Sequence, residues 1–239
     1  MKTVWITGGG SGIGKALALS FAADAWDVVI SGRTEMRLRE VQKLSSKIRV
    51  VVCDITKKID IQAAQKEIGP IDVAILNAGD YKPEPTSIIS IKAHQDIFEV
   101  NYFGTLKCIQ AIMPGMKERG GRLAIVASLA GYRGLPNASA YGPSKAALIQ
   151  LAESLHAELQ NTPLKIQLIN PGFVKSALTE KNGFEMPFLM KSEDAAKKIR
   201  YGLERDDFEI AFPSPMVRRM KLMRILPYRL YFYLTKKMI

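Results

Sequence analysis

The chain has 239 residues, of which 47% are hydrophobic, and a formal net charge of +11. This size suits one domain with a well-buried core. No apolar run in it approaches the ~18 residues that a membrane-spanning helix needs. Its two cysteines, Cys53 and Cys108, are too few for a disulfide framework and are typical of a protein in a reducing compartment. Met1 runs directly into the first predicted strand, so we expect no N-terminal signal and a cytoplasmic location. With only His94 and His156 present, we expect no metal centre.

Predicted strands and helices alternate along the chain, which indicates an α/β fold with a doubly wound parallel sheet covered on both faces. The predicted strands are Lys2–Ile6, Val28–Ser31, Ile48–Cys53, Val73–Leu76, Leu123–Ala127, Lys165–Ile169 and Glu209–Phe212. The predicted helices are Lys15–Phe21, Glu35–Leu44, one ending near Glu67, one from about Ser87 to Glu118, one from an N-cap at Ser139 to about Leu159, and Glu193–Leu203. No repeat or linker interrupts residues 1–239. We therefore expect a single domain of about seven strands, with a core over residues 1–212 and a basic helical tail over 213–239.

A glycine-rich turn, Thr7–Gly14, follows the first strand and precedes a helix. This is the context that a phosphate-binding turn requires, because glycines let the backbone approach a pyrophosphate and the helix N-terminus carries partial positive charge. The glycines at Gly8, Gly12 and Gly14 have the spacing Gly-x-x-x-Gly-x-Gly, which differs from the Gly-x-Gly-x-x-Gly dinucleotide fingerprint. The alternative is a tight turn that only joins a strand to a helix.

Three side chains near the middle of the chain suit proton transfer to an oxygen atom. Tyr141 and Lys145 are four residues apart on one predicted helix, so they share a face. A phenol has a pKa of about 10, and we expect a neighbouring ammonium to lower it toward a useful range. Ser128 ends the central strand and could hold the reacting oxygen. The alternative is a pair that falls on an exposed helix by chance.

Six features occur together in the order and spacing of one family: Thr7–Gly14, Asn77-Ala78-Gly79, Asn101, Ser128, Tyr141-x-x-x-Lys145 and Pro171-Gly172. Over about its first 210 residues the chain resembles the short-chain dehydrogenases/reductases. The resemblance implies a Rossmann-like sheet and hydride transfer between a nicotinamide cofactor and a substrate carbon. Tyr141 would exchange a proton with the substrate oxygen, Ser128 would polarise that oxygen, and Lys145 would tune the tyrosine and hold the ribose.

The resemblance also implies where the cofactor lies. Asp54 would bind the adenine amino group with Ile55 packed on the ring, although Asp54 could instead cap a helix before Thr56. The backbone of Val174 and the hydroxyl of Ser176, which replaces the usual threonine, would bind the nicotinamide amide. The expected cofactor-binding residues are Thr7, Gly8, Ser11, Gly12, Ile13, Gly14, Arg33, Arg37, Asp54, Ile55, Asn77, Ala78, Gly79, Tyr141, Lys145, Pro171, Gly172, Val174 and Ser176.

Asn101 lies within a predicted helix, where asparagine is not favoured. The resemblance implies a helix irregularity at this residue, whose backbone would hold a water that bridges to Lys145. Asn101, Lys145 and Tyr141 would then form a proton relay, and Asn101 joins Ser128, Tyr141 and Lys145 as an expected catalytic residue.

The end of the second strand, Ser31-Gly32-Arg33-Thr34, bears on the choice of cofactor. NAD-preferring relatives tend to have an acidic residue there, which binds the ribose hydroxyls. A guanidinium instead pairs well with a phosphate, and Arg37 lies one helical turn after Arg33. We therefore expect NADP(H) in preference to NAD(H), the alternative being that Arg33 is a solvated surface residue.

The segment from Phe173 to Met190 is rich in aromatic, leucine and methionine side chains and is expected to cover the substrate. Such residues suit a small hydrophobic substrate, although they could merely cover the core. The apolar residues of this segment are Phe173, Leu178, Phe184, Met186, Phe188, Leu189 and Met190.

The C-terminal tail contains seven basic residues and no acidic one, which leaves a net charge of +4 for the residues before Pro213. Basic, aromatic and methionine side chains are interleaved in it. Val217, Met220 and Met223 fall on one helical side, whereas Leu222 and Ile225 fall among the arginines. We expect contact either with an anionic membrane surface or with a second subunit, and no nucleic acid partner because the charge is local.

The expected function is an NADPH-dependent carbonyl reductase, or the reverse alcohol dehydrogenase, acting on an apolar ketone, aldehyde or secondary alcohol that could be lipid-like. By resemblance we expect a homodimer or homotetramer in the cytoplasm, with membrane contact restricted to the surface. The alternative is a non-enzymatic NADP(H)-binding regulator or a membrane-surface interaction protein on the same fold.

Overall fold

The computed structural model describes residues 1–83, 89–181 and 183–236. Its centre is a parallel sheet with the strand order β3-β2-β1-β4-β5-β6-β7. The strands are β1 Lys2–Thr7, β2 Trp26–Gly32, β3 Ile48–Val52, β4 Val73–Leu76, β5 Gly121–Val126, β6 Leu164–Pro171 and β7 Glu209–Phe212. The order reverses between β1 and β4, and ligands of such sheets bind at the carboxyl ends of the strands where this reversal occurs.

Helices connect the strands and cover both faces of the sheet. The α-helices are α1 Gly12–Ala22, α2 Glu35–Gln42, α3 Lys58–Ile68, α4 Ile91–Phe98, α5 Thr105–Arg119, α6 Tyr141–Leu159, α7 Ser192–Glu204, α8 Ser214–Ile225 and α9 Tyr228–Thr235. A π-helical turn, Glu99–Gly104, joins α4 to α5, and short 3₁₀ turns occupy Leu129–Gly131 and Thr179–Lys181. The α/β fold with a doubly wound parallel sheet is therefore confirmed.

The hydrophobic core has two halves, one on each face of the sheet. Along β1, Val4 and Ile6 pack with α1, α2 and α7, whereas Trp5 between them packs with α3, α5 and α6. Successive side chains of a strand point to opposite faces, so a strand covered on both faces must be apolar throughout. Cys53 and Cys108 are buried, free thiols in this core, as expected from their use as small apolar residues.

Strand register brings three chain segments to the same edge of the sheet. Thr7 pairs with Ser31 of β2 on one side and with Leu76 of β4 on the other. The residues that follow these three positions therefore emerge side by side. They include the glycine turn, Gly32-Arg33 and Asn77-Ala78-Gly79, which the sequence analysis assigned to one site.

Two helix predictions need correction. The predicted N-cap at Ser139 is wrong, because α6 begins at Tyr141 and the preceding residue, Ala140, has no side chain that can cap a helix. The N–H of Gly142 instead donates to the carbonyl of Ala138 at 2.8 Å. The long helical region before β5 is divided by the π-helical turn, and its expected start near Ser87 lies outside the described residues.

The C-terminal tail folds into α8 and α9 and packs on the domain. Met220 and Tyr231 are 4% and 3% exposed, and Val217 and Met223 pack against the core cluster around Trp5. Within the part of the chain that the structure describes, no helix combines the length and apolar character needed to cross a bilayer. Lys237 and the two residues after it lie outside that part.

Candidate active site

The fold brings Ser128, Tyr141 and Lys145 together at the carboxyl end of β5. The side chains of Ser128 and Tyr141 are close enough for the serine to lower the pKa of the phenol. The Ser128 hydroxyl accepts a hydrogen bond from the Ala130 N–H at 3.1 Å. Lys145, one turn after Tyr141 on α6, is buried, and its Nζ donates to the Val126 carbonyl at 3.0 Å. The first turn of α6 and the exit of β5 thus hold all three groups.

Burial shifts the pKa values of the tyrosine and the lysine in opposite directions. It raises the pKa of Tyr141 to about 12, partly offset by Ser128 and reinforced by Tyr81. It lowers the pKa of Lys145 to about 8. The expected shift of the Tyr141 pKa below its ordinary value is therefore not found in this structure, because desolvation of the phenolate is the largest effect on it.

Asn101 lies in the π-helical turn between α4 and α5, so the implied helix irregularity is present. Its buried side chain donates to the Asp80 carbonyl and the Ser144 hydroxyl, both at 3.0 Å, and accepts from the Asp80 N–H at 2.7 Å. Its carbonyl accepts from the Thr105 hydroxyl at 2.8 Å. A Cβ built on Gly79 would lie 3.1 Å from the Asn101 amide oxygen and 3.5 Å from the Lys145 Nζ. Asn101 and Lys145 thus meet beside Gly79.

The glycine turn after β1 has the close packing that a nucleotide cradle needs. Gly8 has φ +68°, and a Cβ there would lie 2.9 Å from the Ala78 Cα; one on Gly14 would lie 2.2 Å from the Gly8 carbonyl oxygen. Thr7 and Asn77 brace the turn, since the Thr7 hydroxyl accepts from the N–H groups of Asn77 and Ala78 at 3.0 Å. The turn therefore leads its backbone past β4 and directly into the N-terminus of α1.

A cleft of about 700 Å³, including its open mouth, extends from this turn across the ends of β2 and β3. Arg33 and Arg37 line it, and no carboxylate of the described residues lies within ion-pair distance of either guanidinium. Of the expected cofactor-binding residues, those that line the cleft are Gly8, Ser11, Arg33, Arg37, Asp54, Ile55, Ala78 and Gly79. The other residues that line the cleft were not among the expected binding residues: Gly10, Gly32, Thr34, Leu38, Cys53 and Val100. Gly10, Gly32 and Thr34 belong to the glycine turn and to the end of the second strand, which the sequence had already indicated, whereas the other three carry no separate signal.

Asp54 lines the first cleft, and its side chain closes a local turn. One of its oxygens accepts from the Thr56 N–H at 3.0 Å and from the Thr56 hydroxyl at 2.8 Å, which closes a local turn. The adjoining helix α3 begins only at Lys58, so Asp54 does not cap that helix. Burial works to raise the pKa of Asp54, but the hydrogen bonds from Thr56 and the charge of Arg33 hold it below its usual value. The side chain is a carboxylate at the edge of the cleft.

Four expected residues do not line this cleft: Thr7 and Gly14, which are buried, and Ile13 and Asn77, which are partly buried. Asn77 donates from its side-chain nitrogen to the Thr7 carbonyl at 3.1 Å. Gly12 has φ +51°, and a Cβ there would lie 3.1 Å from the Ser176 Cβ. The glycine turn therefore touches the segment after β6, where the nicotinamide end was expected.

The segment after β6 holds a residue that the sequence analysis missed, Thr179. Its hydroxyl accepts from the Ser176 N–H and donates to the Val174 carbonyl, both at 2.9 Å. The backbone carbonyl of Val174 and the N–H of Ser176 are therefore engaged within the segment. Its preceding residues Pro171 and Gly172 lie next to Ser128, whose hydroxyl is 3.5 Å from the Pro171 carbonyl oxygen.

A second cleft of about 700 Å³, with its mouth included, opens over Ser128 and Tyr141. From the predicted covering segment, Phe173, Leu178 and Phe184 line it, whereas Met190 forms a bridge with Val174 and packs on the core. Part of the segment therefore lines a cleft and part of it covers the core, as the two interpretations of its apolar residues expected. The remaining lining residues are Tyr81, Leu129, Ala130, Leu135, Pro136, Ala138, Gly172, Thr179 and Met216. They come from four separate parts of the chain, which is why no local pattern predicted them apart from Gly172.

These features together fit a nicotinamide dinucleotide. Gly79, which lines the first cleft, lies beside Lys145, and Tyr141, one turn before Lys145 on α6, lines the second. A ligand with a nucleotide in the first cleft could thus extend to the phenol. Eight of the expected cofactor-binding residues line the first cleft, and Tyr141 and Gly172 line the second.

Comparison with known proteins agrees with this geometry. The family description "short chain dehydrogenase" matches residues 2–186. An uncharacterized oxidoreductase of Myxococcus xanthus is 35% identical over 96% of this chain and 94% of its own length. A short chain dehydrogenase from Burkholderia cenocepacia, solved in complex with NADP, superposes with a TM-score of 0.87 at 23% identity over 98% of this chain and 99% of its own.

A short chain dehydrogenase/reductase from Burkholderia phymatum, solved in complex with NAD, has a TM-score of 0.83 at 21% identity over 93% of this chain and 92% of its own. At these identities the two solved structures show the shared fold. The family match covers more than half of the chain, and the Myxococcus relative extends it over nearly the whole length. The chain belongs to the short-chain dehydrogenase family and is an NAD(P)-dependent oxidoreductase.

Proposed function

We propose that the protein is an NADPH-dependent carbonyl reductase, with alcohol oxidation as the reverse reaction, and that its substrates are apolar ketones, aldehydes or secondary alcohols. The observation that carries the proposal is that Ser128 and Tyr141 line one apolar cleft together, close enough for Ser128 to lower the pKa of the phenol. Lys145, one turn further along α6, is buried behind them.

The chemistry of these residues accounts for the fate of the substrate oxygen. When bound, the nicotinamide supplies or accepts the hydride. The Ser128 hydroxyl donates a hydrogen bond to the carbonyl oxygen, and Tyr141 delivers the proton that converts it to an alcohol. Because burial raises the pKa of Tyr141 to about 12, the phenol is protonated at neutral pH, which is the form that reduction needs. The Lys145 ammonium stabilises the phenolate that proton transfer leaves behind.

The preference for NADP(H) rests on Arg33 and Arg37. Both line the first cleft at the end of β2, where a 2′-phosphate on the adenosine ribose would lie, and a guanidinium can bind such a phosphate through two charge-assisted hydrogen bonds. Solved relatives carry NADP or NAD, so the argument depends on these two arginines and not on the fold.

The apolar substrate class follows from the walls of the second cleft. Phe173, Leu178, Phe184, Leu135 and Met216 surround Ser128 and Tyr141. None of these side chains can form an ion pair with a charged substrate. Burial of apolar surface, at roughly 25 cal/mol per Å², would supply most of the binding free energy, while Ser128 and Tyr141 orient the one polar atom.

The test replaces Tyr141 with phenylalanine and follows NADPH absorbance with a panel of hydrophobic ketones and aldehydes. We expect Tyr141→Phe to lower kcat by about 10²- to 10⁴-fold, because the proton donor is lost. Binding of NADPH, followed by its fluorescence, should be retained.

Tyr201→Phe provides the matched control, because Tyr201 is 59% exposed on α7 and does not line either cleft. It should reduce the same substrates at the wild-type rate. A Tyr141→Phe enzyme with wild-type kcat would contradict the proposed chemistry. Wild-type protein that binds NADPH but reduces no member of the panel would contradict the proposed substrate class.

A further inference from the structure

The two C-terminal helices present large apolar side chains to solvent. Seven such residues of α8, α9 and their junction are at least 39% exposed: Leu222, Ile225, Tyr228, Leu230, Phe232, Tyr233 and Leu234. They lie within 13 consecutive residues of the sequence. Singly exposed apolar residues need no explanation, but a contiguous group of this size marks an interaction surface.

The same helices carry positive charge only. Residues 213–236 contain six basic residues and no acidic one: Arg218, Arg219, Lys221, Arg224, Arg229 and Lys236. Along α9 and its C-cap residue Lys236, four exposed residues follow the spacing i, i+3, i+4, i+7, which places them on one face: Arg229, Phe232, Tyr233 and Lys236. This face therefore has two aromatic rings between two cations.

The opposite side of α9 is fixed to the domain. Tyr231 and Thr235, four residues apart, are buried, and the Tyr231 hydroxyl donates to the Gly134 carbonyl. The Arg133 guanidinium lies 3.9 Å from the Tyr231 ring and donates to the Leu226 carbonyl at 2.7 Å. Attachment of the inner side holds the aromatic and basic face of α9 toward the exterior.

We propose that the outer surface of α8 and α9 binds an anionic lipid bilayer at the level of its headgroups, as a peripheral contact. Aromatic and aliphatic side chains enter the boundary between headgroups and acyl chains, while arginine and lysine pair with lipid phosphates and carboxylates. An α-helix with aromatic residues between basic ones suits this boundary.

The charge pattern argues against a second copy of the chain as the occupant. In a two-fold symmetric dimer the same patch meets itself. The tail would then bring two all-cationic surfaces together, and like charges in contact are unfavourable. An anionic bilayer instead complements the charge and also receives the apolar side chains.

The outer surface of α8 and α9 continues to the entrance of the second cleft, which holds Ser128 and Tyr141. Arg219 of α8 lies 5.0 Å from the ring of Phe188 in the segment after β6. In that segment Phe184, Phe188 and Leu189 are 51%, 40% and 45% exposed, and Phe184 also lines the cleft. Contact with a bilayer through α8 and α9 would therefore place the cleft entrance next to the lipid. The lipid contact itself does not depend on the proposed reaction.

The test measures co-sedimentation of the full-length protein with vesicles of phosphatidylcholine alone and of phosphatidylcholine with 30% phosphatidylglycerol. We expect binding to the anionic vesicles, and weaker binding in 0.5 M salt. Arg229→Gln/Lys236→Gln should lower the partition coefficient by about 10- to 30-fold, because each cation near an anionic surface adds about 1 kcal/mol. Phe232→Ser/Tyr233→Ser should lower it at least as much.

The matched controls remove the same kinds of side chain elsewhere. Lys66→Gln/Lys117→Gln removes two exposed cations, and Ile59→Ser/Ile91→Ser removes two apolar side chains that are 70% and 74% exposed. Both should bind vesicles as the wild type does. Thermal unfolding and NADPH binding of all four variants show that they are folded.

Three results would overturn the proposal. The first is equal binding to neutral and anionic vesicles or binding to neither. The second is unchanged vesicle binding by Phe232→Ser/Tyr233→Ser, which would show a charge effect without insertion. The third is an oligomer in solution that Phe232→Ser/Tyr233→Ser dissociates, together with no vesicle binding, which would assign this surface to a second copy of the chain.

Discussion

Burial shifts the pKa values of Tyr141 and Lys145 in opposite directions, because it disfavours the charged form of each group. The phenol pKa rises to about 12 and the ammonium pKa falls to about 8. At pH 7 the tyrosine is therefore neutral and the lysine is still mostly charged. Both groups are then in the state that carbonyl reduction requires.

The same values predict the pH dependence of the reaction. A lysine with a pKa of about 8 holds its proton below that pH and loses it above. We expect kcat for carbonyl reduction to be flat from about pH 6 to 7 and to fall as the pH rises through about 8, with NADPH saturating. Lys145→Arg keeps a cation at high pH and should abolish or displace this fall. A wild-type rate that is constant to pH 10 would contradict the assignment.

Arg33 is the residue on which cofactor choice depends. We expect Arg33→Ala to weaken NADPH binding by about 10-fold or more, because a charge-assisted hydrogen-bonded pair with the 2′-phosphate is lost. NADH binding should change little, because NADH has no 2′-phosphate. Titration by fluorescence measures both dissociation constants. Arg39→Ala is the control, because Arg39 pairs with Glu35 on the exposed side of α2 and does not line the cleft. Equal losses for the two cofactors would show that Arg33 does not select NADP(H).

At the scale of elements, β1, the glycine turn and α1 act as one unit. The turn is held between β2 and β4: the Gly9 N–H donates to the Ser31 carbonyl at 3.1 Å, and Thr7 accepts from the backbone after β4. Its glycines let the backbone segments of the turn lie close to each other, and Gly8 also has a positive φ. The position of the helix N-terminus, and hence of any pyrophosphate, follows from this packing.

Gly14→Ala tests that packing. A Cβ there would lie 2.2 Å from the Gly8 carbonyl oxygen, so the turn must open. We expect a loss of roughly 1–3 kcal/mol in the free energy of unfolding and a marked loss of NADPH affinity. Gly134→Ala is the control, because a Cβ on Gly134 would meet no atom within 4 Å. A Gly14→Ala protein with wild-type affinity and stability would show that the turn tolerates a side chain.

At the scale of the whole molecule, α8 and α9 are integral to the domain. Met220 lies in the core cluster around Trp5. Met216 lines the second cleft, and Lys221 forms a salt bridge with Glu209 of β7 at 2.5 Å. The tail therefore takes part in the core, the cleft and the outer surface at once.

Truncation after Phe212 tests this arrangement. Burial of one methionine side chain contributes about 1.5–3 kcal/mol, so we expect the loss of Met220 and Tyr231 together to lower the melting temperature by at least 5 °C. Reduction of hydrophobic ketones should weaken as well, because Met216 is lost. The control, Leu222→Ser, alters a side chain that is 57% exposed and should unfold as the wild type does. A truncated protein with an unchanged melting temperature would contradict the packing.

Local patterns along the chain were enough to predict most of the strands and helices and to select the candidate site residues. Strand and helix periodicity, the Thr7–Gly14 turn and the four-residue spacing of Tyr141 and Lys145 each depend on neighbours in sequence. Parallel pairing then places the strand ends at one edge of the sheet. The seven-stranded architecture and the convergence of Ser128 with Tyr141 follow from these relations.

Only the tertiary structure decided the rest, because it depends on residues far apart in the chain. Burial within the fold raised the pKa of Tyr141. Contacts across the fold determined which apolar residues after Gly172 line the cleft, and they brought Met216 to it. The packing of Tyr231 on Arg133, nearly 100 residues earlier in the chain, determined which face of α9 points outward. Sequence spacing carries no information about such distant pairs until the chain is folded.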